Sequence, residues 1–461
     1  MRFDLAIIGG GPGGYLAAIK AAQKSKTVCL IDKDKLGGIC LNWGCIPTKT
    51  LIKNAEVYNY IKNSDKYGIN VKDISINFEK NIKRSRDVSE RLSKGIEYLI
   101  KKNKITHIKG RGSLKNKNEI FVESQRESEM IKADYIILAM GARPKTFPGL
   151  EFDYKRIISS KEAMLLKSVP KKIIIIGSGA IGCEFSYYFN EFGSEVHLIE
   201  TKTDILPIED EEVSKELEKN FKKSGIFVHK NSNVIKTESL KTKVKVHVTR
   251  KDKVSVLEAD YALLAIGVKG NIANTGIENL DIKIENDSIK VNKYNQTNIP
   301  NIYAIGDVSG APWLAHVASA QGHVSVEHIF GDNAQPIDYS NIPGCTYTQP
   351  QVGSIGLTEQ AALSKGYRIK VGRYLFKSNG KAMAIGKNEG FVKLIFNQEY
   401  GELLGAHIIG SEATELIGQL SMAKALESTW ENLAFGVFAH PTFSEAIMEA
   451  ALDAFGIGVH Q

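Results

Sequence analysis

Between Leu36 and Leu51 the chain reads LGGICLNWGCIPTKTL, with four residues separating Cys40 from Cys45. If the segment from Cys40 onward is helical, the two sulfurs lie slightly more than one turn apart, close enough to bridge with local distortion. A strained disulfide in a compartment that reduces ordinary ones points to redox catalysis rather than to structural bracing. Two other readings compete. A metal site lacks a second Cys or His pair at suitable spacing, and a pair of bystander thiols carries no chemistry at all. Near the other end, His440-Pro441-Thr442-Phe443-Ser444-Glu445 sets a carboxylate five residues after an imidazole, in a helix expected to begin near Ser444. Glu445 can then accept from one ring nitrogen and leave the other to handle a thiol proton, although a His beside a Pro is commonly a plain loop residue. The need for a base is quantitative: a thiol of pKa about 8.5 is only a few per cent ionised at about pH 7, and the thiolate is the nucleophile.

Such thiols need an electron acceptor, and two glycine frames offer places for one. Phe3 to Ile8 reads as a strand, Gly9, Gly11 and Gly14 fill a G-x-G-x-x-G frame, and Tyr15 to Lys24 carries apolar residues at helical spacing. Glycines let the backbone approach a pyrophosphate, whose charge meets free N–H groups at the helix start. The next strand, Thr27 to Ile31, ends in Asp32, an acceptor for ribose hydroxyls. The same order recurs with a strand at Lys172 to Ile176, the frame Gly177, Gly179 and Gly182, a helix at Glu184 to Phe192 and a strand at Glu195 to Ile199. That strand ends in Glu200, whose charge favours a free 2′-hydroxyl and repels a 2′-phosphate, so NAD is expected over NADP, with Lys202 nearby weakening the preference. A chain that binds two dinucleotides is arranged for one to pass electrons to the other.

Length and composition bound the classes that remain. At roughly 150 residues per core, 461 residues suggest about three domains and exclude a minimal binding module. Apolar residues at 43% and charged residues at 24% match a globular chain rather than a disordered tail. The net charge of +8 is spread over scattered cations such as Lys101, Lys102, Lys115, Lys171, Lys172, Lys222 and Lys223, so no nucleic-acid partner is expected. The odd total of five cysteines argues against a secreted disulfide scaffold, and Cys29, Cys183 and Cys345 read as small apolar fillers. No apolar run is long enough for a membrane span, and the N-terminus reads as a strand entering a turn rather than a signal peptide; a cytoplasmic location is expected.

Six segments taken together resemble one known family over essentially the full length. They are GGGPGG from Gly9, GGICLNWGCIPTK from Gly37 to Lys49, GSGAIGCE from Gly177 to Glu184, YAIGDV from Tyr303 to Val308, LAHVAS from Leu314 to Ser319, and HPTFSE from His440 to Glu445. The chain resembles the pyridine nucleotide-disulfide oxidoreductases, and among them the branch that oxidises dihydrolipoamide. The resemblance implies FAD in the first unit and NAD in the second. It implies that Asp32 holds the FAD adenosine ribose, where many relatives have Glu, and that Lys49, near the flavin edge, pairs with Glu184. It further implies that Asp307 takes the ribityl chain, that Ala315 follows on the flavin-contacting stretch, and that Gly112 supplies a backbone contact. The stretch ILAMGARP, Ile137 to Pro144, carries Gly141 but has Met140 where Thr is usual, and YALLAIGVKGN carries Gly267 but has Val268 and Lys269 where Gly-Arg is commoner. The resemblance also assigns Cys40 to interchange with substrate and Cys45 to the flavin, and has the His440–Glu445 pair act on the disulfide of the other subunit of a homodimer.

The expected fold is α/β, with two Rossmann-like units, the NAD unit inserted in the FAD unit, and an α+β dimerisation domain. The expected boundaries are 1–145 for the FAD domain, 146–270 for the NAD domain, 271–340 for the return to the FAD domain and 341–461 for the interface. Lys101 to Lys132 is expected to be an exposed hairpin. The implied partners are lipoyl domains and the acyltransferase core of 2-oxo acid dehydrogenase complexes, or the glycine cleavage lipoyl protein. Glutathione reductases are similar but use Arg near the position of Glu200 and Lys where Thr48 follows Pro47. Mercuric reductases add a C-terminal cysteine pair where this chain ends Gly-Val-His-Gln, and short thioredoxin reductases place their pair in the NAD domain, which here has only Cys183. A different class, a binding component of a larger assembly with a vestigial flavin, is opposed by intact Cys40, Cys45, His440 and Glu445.

Overall fold

The computed structural model describes residues 1–124 and 127–460. Strands Arg2–Ile8 and Val28–Asp32 run parallel, with Leu5 opposite Val28 and Ile8 opposite Ile31, and the helix Pro12–Gln23 crosses between them. They sit inside a seven-stranded sheet in the order Thr106–Lys109, Val28–Asp32, Arg2–Ile8, Glu129–Leu138, Glu119–Glu123, Arg111–Asn116. Leu5, Ala6 and Ile7 are fully buried, as expected of a parallel strand covered on both faces. The short strand Ile302–Ala304 returns to pair in parallel with Glu129–Leu138, and Ile277, Ile282 and Ile289 before it already pack in the first sheet's core, so the chain between Leu138 and Ile277 leaves this unit and comes back to it.

That insertion carries a second parallel sheet of five strands, ordered Phe227–His229, Glu195–Ile199, Lys172–Ile176, Tyr261–Leu264, Ile157–Ile158. A three-stranded antiparallel sheet, Asn233–Ser239, Val244–Arg250 and Lys253–Ala259, packs on one face of it through Val234, Val244, Val246 and Val248. The C-terminal part is a five-stranded antiparallel sheet in the order Gly344–Thr346, Gln351–Gly356, Leu403–Gly410, Phe391–Asn397, Ile369–Leu375. Helices Ala413–Ala425 and Glu445–Ala454 share an apolar core with it. One core joins all three parts: Leu51 and Ile52, Val213, Leu217 and Phe221, and Val352, Phe391 and Ile409 belong to a single buried cluster.

The Lys-rich stretch Lys101 to Lys132 is not an exposed hairpin. Its strands belong to the first sheet, and Leu114, Ile120, Val122 and Ile131 are buried there. The lysines and glutamates occupy the alternate positions, which a strand turns to solvent, so average polarity concealed a period of two. Two residues of that stretch, 125 and 126, lie outside the described residues. Among the described residues no helix is long and apolar enough to cross a membrane.

Candidate active site

The cysteines do not share one helix. Cys40 lies in the short helix Gly38–Trp43 and Cys45 opens a second helix, Cys45–Lys62, with Gly44 as the break between them. A Cβ on Gly44 would stand 3.1 Å from the Ile39 carbonyl and 3.3 Å from Cys40 Cα, so the absence of a side chain lets the chain fold back on itself and bring the thiols together. The two are then unequal. Cys40 donates a hydrogen bond to Cys45, which with burial raises the Cys40 thiol far above its usual range. As acceptor, and helped by Lys49 against the cost of burial, Cys45 is lowered to about 7. Its place at the first turn of a long helix adds the positive end of the helix dipole.

One turn further, Lys49 Nζ reaches both oxygens of Glu184 at 2.9 Å. Glu184 comes from the second unit, is buried, and also accepts from the Tyr347 backbone N–H at 3.0 Å, while the Lys49 ammonium lies 4.5 Å from the centre of the Tyr347 ring. Residues from the three parts of the chain thus meet beside Cys45. Tyr347 carried no sequence signal, because its backbone N–H and its ring reach Glu184 and Lys49 only through the tertiary fold.

The two frames are built alike. Gly9 donates to the Ile31 carbonyl at 2.8 Å and Gly177 to that of Ile199 at 2.9 Å, tying each frame to its neighbouring strand. A Cβ on Gly14 would come within 1.8 Å of the Gly9 carbonyl, and one on Gly182 within 1.9 Å of that of Gly177, so only glycine lets these helices close on their strands. Gly11 and Gly179 cap the helices Pro12–Gln23 and Ala180–Glu191 with no side-chain acceptor for the first N–H groups; space is open beside Gly179, and beside Gly11 the nearest atom a Cβ would meet is Gly38 Cα at 3.8 Å. The free N–H groups at each helix start suit an anion. Asp32 accepts from Gly10 N–H at 2.5 Å and Asp34 N–H at 2.8 Å, and Glu200 accepts from Ser178 N–H at 3.0 Å and Lys202 N–H at 2.9 Å. Each acid therefore braces its own frame. Burial raises Asp32 despite these bonds. Glu200 is pushed up by burial but ends lowered, because the Ser178 and Thr201 hydroxyls also donate to it.

Asp307 lies on a single 3-10 turn after Ile302–Ala304, and burial raises its carboxyl; among the described residues no protein group donates to that side chain. A half-buried carboxylate without a partner suits a hydroxyl-bearing chain. The Gln321 side chain holds this turn by accepting from Gly306 N–H at 2.6 Å, a role that only the tertiary fold reveals. Ala315 opens the helix Ala315–Phe330, a Cβ on Gly112 would stand 3.1 Å from the Ile8 side chain, and Gly141 turns at φ +67° beside open space. Met140 packs against the core of the first sheet and its carbonyl accepts from the Asn271 amide at 2.9 Å, so the missing Thr hydroxyl is replaced by packing. Gly267 turns at φ +102°, its carbonyl held by Lys145 N–H at 2.9 Å.

His440 Nδ1 and Glu445 Oε1 are 2.8 Å apart, and Glu445 Oε2 accepts from Thr442 N–H at 2.7 Å. Burial pushes Glu445 up, but Thr442 and His440 outweigh it and the carboxyl ends lowered. The imidazole is 77% exposed, so Nε2 is open to a molecule arriving from outside this chain. Cys29 and Cys183 are buried, with thiols raised by burial, and Cys345 is raised to about 11. None of these three is poised as a nucleophile.

Comparisons with known proteins agree with this geometry. Residues 3–322 match the family model described as pyridine nucleotide-disulphide oxidoreductase, and residues 342–451 match that family's dimerisation domain. The chain is 44% identical to a dihydrolipoyl dehydrogenase of Zymomonas mobilis, covering 100% of this chain and 99% of the relative. It is 40% identical to one of Bacillus subtilis, covering 100% and 99%. Among solved structures, LpdA of Mycobacterium tuberculosis superposes with a TM-score of 0.91 at 26% identity, over 98% of this chain and 99% of that one. The flavoprotein disulfide reductase RclA of Escherichia coli gives 0.87 at 25%, over 97% and 99%. With two nucleotide cradles, an asymmetric thiol pair between them and this agreement along its whole length, the chain belongs to the pyridine nucleotide-disulphide oxidoreductase family, whose cofactors are FAD and NAD.

Proposed function

We propose that the protein oxidises protein-bound dihydrolipoamide to lipoamide and reduces NAD⁺, working as a cytoplasmic homodimer that serves 2-oxo acid dehydrogenase or glycine cleavage assemblies. The observation that carries the substrate assignment is the 40–44% identity, over essentially the whole chain, to relatives curated as dihydrolipoyl dehydrogenases. In this reading the first frame, Asp32 and Asp307 hold FAD, and the second frame with Glu200 holds NAD.

His440 Nε2 takes the proton of one dihydrolipoyl thiol, and Glu445 steadies the resulting imidazolium through Nδ1–H. The substrate thiolate attacks Cys40 Sγ of the Cys40–Cys45 disulfide in the other subunit. The S–S bond breaks as the new one forms, and Cys45 departs as a thiolate, a good leaving group because its pKa is low. The second substrate thiol then attacks the substrate sulfur of the mixed disulfide. Lipoamide leaves, Cys40 is released and reprotonated, and the enzyme pair has gained the two electrons that the substrate lost. Lys49, paired with Glu184, places a positive charge beside the Cys45 thiolate. The chemistry supplied by bound FAD is two-electron acceptance from this dithiol and hydride delivery to NAD⁺.

The test is NAD⁺ reduction by dihydrolipoamide with the purified protein, run beside NADPH-dependent reduction of glutathione disulfide. Activity is expected in the first assay. Activity confined to the second overturns the substrate assignment, and a yellow protein inactive in both assays supports a binding role instead.

A further inference from the structure

The C-terminal sheet carries a polar row where its neighbours are apolar. Arg373 stands opposite Lys393, Lys393 opposite His407, and His407 opposite Ser354, across four adjacent strands. Their sequence neighbours Val392, Leu394, Ala406 and Ile408 face the helices on the other side, as the period of two requires. The row faces the second unit at the start of its helix Glu211–Lys223, whose N-cap is Asp210. Lys393, 2% exposed, holds Asp210 at 2.8 and 3.0 Å, Glu212 at 2.7 Å and Glu359 at 2.8 Å. Arg373 grips Glu212 with two nitrogens at 2.9 and 2.6 Å and reaches Glu359 at 3.0 Å. Ser354 hydrogen-bonds Glu209.

We infer that Lys393 and Arg373 are positioning residues for the NAD-dependent half of the reaction: they clamp the second unit to the C-terminal sheet so that its nucleotide site keeps a fixed pose against the thiol site. Burying such a network is a poor way to gain stability, since apolar residues of like volume serve as well or better. What charged, bidentate pairs add is a unique geometry. The clamp, to which the Glu359 N–H adds a bond to Asp210 at 3.3 Å, works beside other attachments between these parts, among them Glu184 to the Tyr347 N–H, beside the thiols, and the apolar contact of Val352, Phe391 and Ile409 with the cluster that includes Val213 and Phe221. Apolar surfaces slide, and a single hydrogen bond pivots. The clamp adds directed charged contacts at the start of the helix Glu211–Lys223, which resist both motions.

The inference rests on the proposed NAD-linked dithiol oxidation, and its test separates the two. In the holoenzyme of Lys393→Met and of Glu212→Gln, rapid mixing measures reduction by dihydrolipoamide and, separately, reoxidation by NAD⁺. Hydrogen exchange of residues 211–223 is read in the same proteins. Lys393→Met is expected to slow reoxidation roughly 10- to 100-fold, to leave reduction by dihydrolipoamide unchanged, and to speed exchange in 211–223 but not in the helix Cys45–Lys62. Glu212→Gln, at a side chain 39% exposed, gives the same pattern more weakly and carries the test if Lys393→Met does not fold. Equal slowing of both halves, or unaltered reoxidation, overturns the positioning role. If the wild-type protein does not reduce NAD⁺ at all, the functional reading falls, and the exchange measurement still decides whether the clamp holds the helix.

Discussion

At the scale of the residue, the decisive feature is that two chemically identical thiols are made different. Cys45 receives a hydrogen bond, the helix dipole and the charge of Lys49, while Cys40 gives its proton to the bond, so one sulfur is built to leave and to persist as an anion. The donor contributes most to this split. Replacing Cys40 by Ala removes it, destabilises the thiolate and is expected to raise the apparent pKa of Cys45 from about 7 toward the ordinary thiol value. The pH dependence of Cys45 alkylation in the reduced protein reads this directly. Cys40→Ser keeps an O–H donor and is expected to move the inflection less; an unmoved inflection in Cys40→Ala refutes the hydrogen-bond account.

At the scale of the element, both nucleotide cradles depend on how closely a helix approaches the turn before it. Gly182 is the test position, because the atom its Cβ would meet at 1.9 Å is the Gly177 backbone carbonyl, which cannot swing away as a side chain can. Gly182→Ala forces the helix Ala180–Glu191 back from its strand. It is expected to cost about 1–3 kcal/mol of stability and to weaken NAD⁺ binding, measured by thermal unfolding and by titration. Because Glu184 sits on the same helix, the variant is also expected to loosen the Lys49 pair. Unchanged stability and affinity contradict the close-packing argument.

At the scale of the whole molecule, the exposed His440 Nε2 and the match to a dimerisation domain are the grounds for proposing an active site shared by two chains. Complementation decides this. His440→Gln and Cys45→Ser are each expected to abolish dihydrolipoamide oxidation as pure dimers. Mixed at random in equal amounts, half the dimers are hybrids, and each hybrid has one intact site if the site is shared, so about a quarter of wild-type activity returns. No recovery after verified subunit exchange means that His440 acts within its own chain.

How much of this was legible in sequence depends on whether the signal is local. The glycine frames, their terminal acids, the cysteine spacing and the His-Pro-Thr-Phe-Ser-Glu segment are short-range patterns, because the chemistry they serve needs neighbours within one turn or one strand. The fold class followed from the strand-frame-helix order for the same reason. The break at Gly44 was not legible, since a helix and two helices meeting at a glycine share their composition, and the buried strands within Lys101 to Lys132 were hidden by charged residues at alternate positions. Tyr347, Gln321 and the Lys393 clamp left no trace at all. Each acts on a residue distant in sequence, Lys393 on Asp210 across 183 positions, and only packing of one sheet against another helix makes them neighbours. Sequence alone thus marked which groups are candidates to react and which turns are candidates to cradle a nucleotide; the tertiary structure decided how those groups are held together, because long-range contacts are set by packing and by the pairing of buried charge.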